Sequence, residues 1–211
     1  MLEAYLATLV GVAAAQASPG PNLAAVASTA LGDGRRPAVM VVAGIACGMC
    51  LWSFATALGL AALLQQYPLS LVLLRFVGGG YLIWLAIKAL RSILTGAPAT
   101  IRADAADISL AQAYRRGLFV VLTNPKAAMM WAAVATFLFG AGLANWQVMA
   151  FAPVGATSGF LIYGFYAWLF STERAHRGYA RAARGIEGVF AGAFGLMGGK
   201  LIYDGVRELR A

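Results

Sequence analysis

Two short clusters hold most of the residues whose types and spacing could do chemistry. One is Ser18-Pro19-Gly20-Pro21-Asn22 and the other is Thr123-Asn124-Pro125-Lys126-Ala127. Each puts proline beside asparagine within a long apolar run. Proline lacks an N–H and its ring clashes with the carbonyl four residues back. Pro19, Pro21 and Pro125 should therefore break their helices and free the carbonyls of Ala15, Ala17 and Val121. A helix that restarts after Pro21 begins with unpaired N–H groups and a positive dipole end, a setting that suits an anion such as a carboxylate. Asn22 and Asn124 each add a donor and an acceptor. Lys126 is a charge set well inside an apolar segment, where charge is costly and by default marks function. The structural alternative for each proline is a plain kink, and for Lys126 a side chain that reaches up to the interface.

The remaining candidates are weaker. Cys47 and Cys50 have the C-x-x-C spacing of thiol redox sites, but they sit among Gly48 and Met49 in an apolar stretch, where packing is the better reading. His176 is the sole histidine and lies in a polar segment. It has no second histidine or acidic cluster with which to hold a metal and no nucleophile to activate, so neither a metal site, nor a cofactor, nor an enzyme is expected. Gly44/Gly48, Gly155/Gly159, Gly188/Gly192 and Gly195/Gly199 have the spacing that lets helices approach closely, either within the chain or in a homodimer.

The elements that must position these residues follow from composition. Hydrophobic residues make up 61% of the 211 and charged residues 11%, against roughly 25% charge in soluble domains. Residues 4–32, 37–74 and 127–172 contain no Asp, Glu, Lys or Arg. A membrane-spanning helix needs about 20 such residues, and the last two stretches are long enough that each must fold back. Punctuation by Pro, Gly and charge divides the chain into six segments, at about 2–31, 38–66, 69–94, 114–139, 146–170 and 186–209. The expected fold is all-α, a single multi-pass domain over 1–211 with six spans, the first and fourth interrupted. The longest polar connection is Thr95–Gln112, and a basic one covers Ser171–Gly185. Arg35, Arg36, Lys88, Arg91, Arg102, Arg115, Arg116 and the arginines at 174, 177, 181 and 184 flank alternate connections, with Arg207 and Arg210 at the C-terminus dissenting. By the positive-inside bias those connections are cytoplasmic and both termini lie outside. The formal charge of +8 is thus a topology signal, and its scatter between apolar segments argues against a nucleic-acid partner. Ala15-Gln16-Ala17 imitates a signal-peptidase site, but no basic residue precedes the apolar run, so cleavage is not expected.

The two halves repeat. Gly79-Gly80-Tyr81-Leu82-Ile83-Trp84 matches Gly198-Gly199-Lys200-Leu201-Ile202-Tyr203, and Lys88, Leu90 and Arg91 match Arg207, Leu209 and Arg210. Gly44, Gly48 and Trp52 fall opposite Gly155, Gly159 and Tyr163. The proline-broken segments then also correspond. With three spans per half, residues 1–94 and 113–211 must enter the bilayer from opposite sides, which makes an inverted repeat of the kind found in secondary transporters. By residue count from Asp33 and from Arg116, Pro21 and Pro125 lie roughly 18 Å and 14 Å deep, near the middle of a core roughly 30 Å thick.

SPGPN in the first segment, GGGYLIWLAIKALR in the third and NPKA opening the second half resemble the lysine exporter (LysE/RhtB-type) translocator family, in order and spacing along essentially the whole chain. The resemblance implies a bacterial inner-membrane protein that exports amino acids, driven by the proton gradient. On the family's pattern Ser18, Pro19, Gly20, Pro21, Asn22, Asn124, Pro125 and Lys126 form the core of the path. A zwitterion needs donors for its carboxylate and acceptors for its ammonium, which two crossed helix breaks can supply. The alternatives are a membrane thiol-redox conduit using Cys47 and Cys50, and a scaffold held by its glycine faces.

Overall fold

The computed structural model describes residues 2–67, 70–95 and 107–210. Eight helices account for nearly all of them: α1 (Leu2–Ala17), α2 (Pro21–Gly32), α3 (Arg35–Gln66), α4 (Ser70–Thr95), α5 (Leu110–Thr123), α6 (Pro125–Gly140), α7 (Asn145–Phe170) and α8 (Glu173–Leu209). The first and fourth apolar segments are each two helices, split at the proline clusters. Pro21 opens α2 and Pro125 opens α6, at a position where proline's missing N–H has no intrahelical partner to lose. Asn124 has extended backbone (φ −80°, ψ 109°), as expected for a residue that precedes proline. The axes of α5 and α6 differ by 61° across that break.

Three boundaries depart from the sequence expectation. Helix α3 begins at Arg35, ahead of Pro37, because the first turn needs no N–H from proline. Helix α5 begins at Leu110 behind a capping box, in which the Ser109 hydroxyl accepts from the Gln112 N–H at 3.3 Å and the Gln112 side chain accepts from the Ser109 N–H at 2.8 Å. The third is a correction. Ser171–Gly185 is not a connecting loop, since α8 starts at Glu173 and runs unbroken for 37 residues. Polarity suggested a loop, but the stretch is rich in Ala and Arg, both strong helix formers, and has no proline. At 1.5 Å per residue α8 is about 55 Å long, well beyond a bilayer core. Within the Thr95–Gln112 connection, residues 96–106 lie outside the described residues. Its end is tied to the α2–α3 turn, where the Asp107 N–H donates to Asp33 Oδ1 at 2.8 Å.

Among the described residues helices α3, α4 and α7 are each long and apolar enough to cross a membrane, and the bent pair α5/α6 is apolar enough to make a fourth crossing if the two act as one span. Large apolar side chains cover the outside of the bundle, among them Val10, Leu58, Leu73, Phe119, Leu161 and Leu196. Water would not tolerate that surface, whereas acyl chains match it, so the chain is a multi-pass membrane protein. Tyr67 and Trp146 are exposed at one end of α3 and α7, and Trp168 at the other end of α7, the places where interfacial aromatics gather.

Inside, α4 packs on α8, and α3 packs on α5 and α7. Glycine sets the closest approaches. A Cβ on Gly44 would overlap the Tyr114 carbonyl, and one on Gly117 would overlap the Val41 carbonyl. Gly155 backs onto the ring of Trp131, and Gly159 onto Met49 and Gln16. The glycine pairs of α3 and α7 therefore serve packing within the chain. Where α4 crosses α8 the contacts are reciprocal. A Cβ on Gly79 would sit 2.9 Å from the Gly198 oxygen and 2.9 Å from Ile202 Cγ1; one on Gly198 would sit 2.7 Å from the Gly79 oxygen and 2.9 Å from Ile83 Cγ1. The buried core joins Trp131, Phe151, Phe170, Phe194, Ile45 and Met49.

Gly79→Ala should destabilise the protein in detergent by about 1–3 kcal/mol through overpacking. Its neighbour gives the control, because a Cβ on Gly80 meets nothing within 4 Å; Gly80→Ala should be neutral or gain up to about 1 kcal/mol from helix propensity. Thermal unfolding of the two variants beside the parent distinguishes them, and equal stabilities would contradict the crossing described here.

Candidate functional site

The two helix breaks meet. The Asn124 side-chain amide donates to Asn22 Oδ1 at 3.1 Å, and the Asn22 amide donates to the Tyr163 hydroxyl at 3.4 Å. Asn124 also caps α6, its Oδ1 accepting from the Lys126 N–H at 3.0 Å. Both asparagines are buried, at 5% exposure each, so their amides can be satisfied only by one another and by the chain around them. From the first turn of α6 the Lys126 side chain crosses to the other break. Its ammonium donates to the Ser18 hydroxyl and to the Pro19 carbonyl, the latter at 3.4 Å.

Gly20 is where that crossing passes. A Cβ there would come within 3.4 Å of the Lys126 ammonium, so a larger residue would stand between the lysine and the start of α2. Gly20 is also the N-cap of α2 and supplies no side-chain hydrogen bond. The helix therefore begins with its positive end uncapped by any side chain, next to an ammonium. Two sources of positive potential converge on one point, a setting that attracts a carboxylate.

The three carbonyls freed by proline are not left open to a ligand's amine, contrary to the sequence expectation. Ala15 accepts from the Ser18 hydroxyl at 3.0 Å, Ala17 from the Tyr166 hydroxyl at 2.9 Å, and Val121 from the Trp52 indole at 3.0 Å. In a setting without water each such group requires a partner, and the bundle supplies it from α3 and α7. The acceptors of the lysine are the Ser18 hydroxyl and the Pro19 carbonyl, and the side-chain oxygens of Asn22, Asn124 and Tyr163 also border the space between the breaks.

A cavity of about 20 Å³ lies between these groups, bordered by Ser18, Gly20, Asn22, Asn124 and Lys126 on one side and by Gln16, Leu23, Met49, Ala127, Met130 and Tyr163 on the other. That is room for about one water and too little for an amino acid, so this conformation holds the site closed. Pro19, Pro21 and Pro125 shape the breaks from the backbone.

Several lining residues escaped the sequence reading. Gln16 is 1% exposed, donates to the Gly155 carbonyl at 2.9 Å and accepts from the Ser158 hydroxyl at 2.8 Å. Its signal was present, as one of two amide side chains, with Asn22, in an uncharged apolar run, a type of residue that is rare and usually functional in a membrane. Trp52 and Tyr163 were paired by the internal repeat, but nothing local linked them to the breaks. Cys47 and Cys50 are both free thiols on α3, and the Cys50 sulfur lies 4.0 Å from the Ala152 carbonyl. Among the described residues no group of three or more His, Cys, Asp or Glu could hold a metal.

Comparison with known proteins gives a consistent picture. The model of the LysE type translocator family matches residues 13–205. The threonine efflux protein of Escherichia coli K12 is 33% identical over 199 residues, covering 92% of this chain and 94% of its own. The threonine efflux protein of Salmonella typhimurium is 34% identical over 182 residues, covering 83% and 85%. The leucine efflux protein of Klebsiella pneumoniae is 32% identical over 127 residues, covering 60% and 59%. No solved structure matches the chain significantly.

Asn124→Ala should cost more stability than Asn22→Ala, because it removes the α6 cap, worth about 0.5–2 kcal/mol, together with the bond between the asparagines. A double-mutant cycle measured by unfolding in detergent should give a coupling of about 0.5–1.5 kcal/mol. Additive losses would mean that the two side chains do not interact.

Proposed function

Because the chain belongs to the LysE type translocator family, and so to transporters rather than enzymes, we propose that it exports small neutral amino acids of the threonine or leucine kind across the bacterial inner membrane, with the paired helix breaks as the substrate site. The names of its relatives favour that substrate class. The observation that carries the site is the reach of Lys126 from one break to Ser18 and Pro19 of the other, beside the uncapped start of α2. The substrate carboxylate takes the place of Ser18 on the ammonium and accepts from the first amides of α2. Its ammonium is held by the oxygens of Asn22, Asn124 and Tyr163. Leu23, Met49, Ala127 and Met130 receive an uncharged side chain. Among the described residues no carboxylate borders this cavity, so a cationic side chain would meet only the lysine's repulsion.

The transport cycle in this reading uses six crossings built as two inverted halves, 1–94 and 113–211, with the basic connections in the cytoplasm and both termini outside. Three features support the halves. The α4–α8 crossing is reciprocal at glycines that the repeat pairs. The two breaks correspond and touch. Trp52 of α3 serves the second break, while Tyr166 of α7 serves the first. Rocking of one half against the other would open the closed site alternately to each side, driven by the proton gradient. A thiol-redox role for Cys47 and Cys50 has no support among the relatives, all of the named ones being efflux proteins.

Export of labelled threonine and leucine from cells provides the test. Lys126→Ala should lower the rate at least about tenfold, the loss of one charge-assisted interaction of some 1.5–3 kcal/mol, with an unchanged amount of protein in the membrane. A protonophore should abolish export by the parent. Cys47→Ser with Cys50→Ser should leave export intact. Normal export by the lysine variant would reject the site, and export that ignores the protonophore would reject the coupling.

A further inference from the structure

A second group of charges lies far from the helix breaks, where the first turns of α4 meet the last turns of α6 and α8. Arg75 of α4 forms an ion pair with Glu208 of α8. Lys200 pairs with Asp204 along α8, nitrogen to oxygen at 2.9 Å. Arg75 is buried, at 9% exposure, and its guanidinium rests on the end of α6, where a Cβ added to Gly140 would come within 3.0 Å of Nη2. Phe76 packs beneath, its ring 3.2 Å from the place a Cβ would take on Gly205. Between these groups opens a cavity of about 370 Å³, lined by Arg75, Gly140, Lys200, Asp204, Arg207 and Glu208. It faces the side on which the basic connections are absent.

The contrast with the central site is one of size and charge. The central cavity has room for about one water; this one is a surface-open depression of about 370 Å³, wide enough to admit a small polar head group. It also carries both signs, three cations and two carboxylates in one small volume. A free amino acid has a carboxylate and an ammonium about one bond apart, and it needs a cation and an anion side by side. A site made of ion pairs can accept it by exchange: the ligand's carboxylate takes Glu208's place on the flat guanidinium of Arg75, which suits bidentate contact, and the displaced Glu208 or Asp204 takes the ammonium. The zwitterion brings one charge of each sign, so the net charge of the cluster does not change. The exchange replaces one carboxylate partner of the buried Arg75 with another, so it is close to balanced and the binding weak, as a point of release requires.

We propose that the cavity between the ends of α4, α6 and α8 is a second, exit-side binding site for the zwitterionic head of an amino acid, with Arg75 and Arg207 for the carboxylate and Glu208 and Asp204 for the ammonium. The proposal rests on the amino-acid reading of the central site. Helix α6 links the two, with Lys126 in its first turn and Gly140, under Arg75, in its last.

Binding of labelled L-threonine to the purified full chain tests it independently of transport. The parent should bind two molecules and Lys126→Ala one, the weaker. In the Lys126→Ala background, Arg75→Gln with Glu208→Gln should weaken the remaining site about tenfold or more, as expected for lost charge-assisted hydrogen bonds. Removing both charges together leaves neither buried alone. Arg207→Gln, at an exposed position, should weaken it as well without a risk to folding. Threonine methyl ester and 3-hydroxybutyrate, each lacking one charge of the pair, should compete poorly. Loss of all binding in Lys126→Ala, or residual binding indifferent to both Arg75/Glu208 and Arg207 changes, would overturn the second site. Two bound molecules in a chain that exports neither threonine nor leucine would instead sink the transport reading and leave this site standing.

Discussion

A backbone carbonyl freed inside a membrane must be given a partner by the protein, and the architecture of this chain is organised around that constraint. Three prolines free three carbonyls in the middle of apolar segments. Lipid supplies no donors, so the bundle brings Ser18, Tyr166 and Trp52 to them. Tyr166 and Trp52 stand on α7 and α3, which binds the long unbroken helices to the broken ones. Disturb either break and the packing of a neighbouring long helix is disturbed with it.

The same breaks create the polar interior. Once the helices are interrupted, Asn22 and Asn124 can meet side by side and Lys126 can cross from one half of the chain to the other. The ammonium is held in the interior by Ser18 and the Pro19 carbonyl, partners that a carboxylate could replace with a net gain of charge pairing. Tightness of the cavity follows from the same geometry, because the asparagine pair and the lysine crossing hold the two breaks against one another. A wider opening lies among the ion pairs at the far ends of α4, α6 and α8.

Close helix approach is the second organising feature, and small residues make it. The α4–α8 crossing has glycine on both sides, each against the other's backbone oxygen. In lipid, apolar burial gives helices little drive to associate, so van der Waals contact between backbones matters more than it does in water. A crossing with little side-chain bulk is also one about which two helices can turn.

Much of the fold was legible in the sequence because its causes are local. Uncharged runs set the apolar segments, and proline chemistry set the breaks at Ser18–Pro21 and Asn124–Pro125 to within a residue or two. Where local chemistry pointed two ways, the reading went astray. The Arg- and Ala-rich stretch after Thr172 is polar enough for a loop yet is a helix by propensity, and only its continuity with α8 decides between them. The capping box at Ser109 and Gln112 was readable and was missed. The membership of the site could be named from Pro, Asn and Lys alone, since those residues are conspicuous in an apolar chain. Its satisfaction could not be: Trp52 and Tyr166 lie 69 and 149 residues from the carbonyls they bond, and hydrogen bonds at that separation exist only once the helices have packed. For the same reason the carbonyls that seemed available to a ligand are occupied, and the Gln16–Ser158 bond and the Arg75–Glu208 pair emerge only in three dimensions. Covalent geometry and hydropathy determined where the chain breaks and what it buries; long-range packing alone decided which polar groups face each other across the breaks.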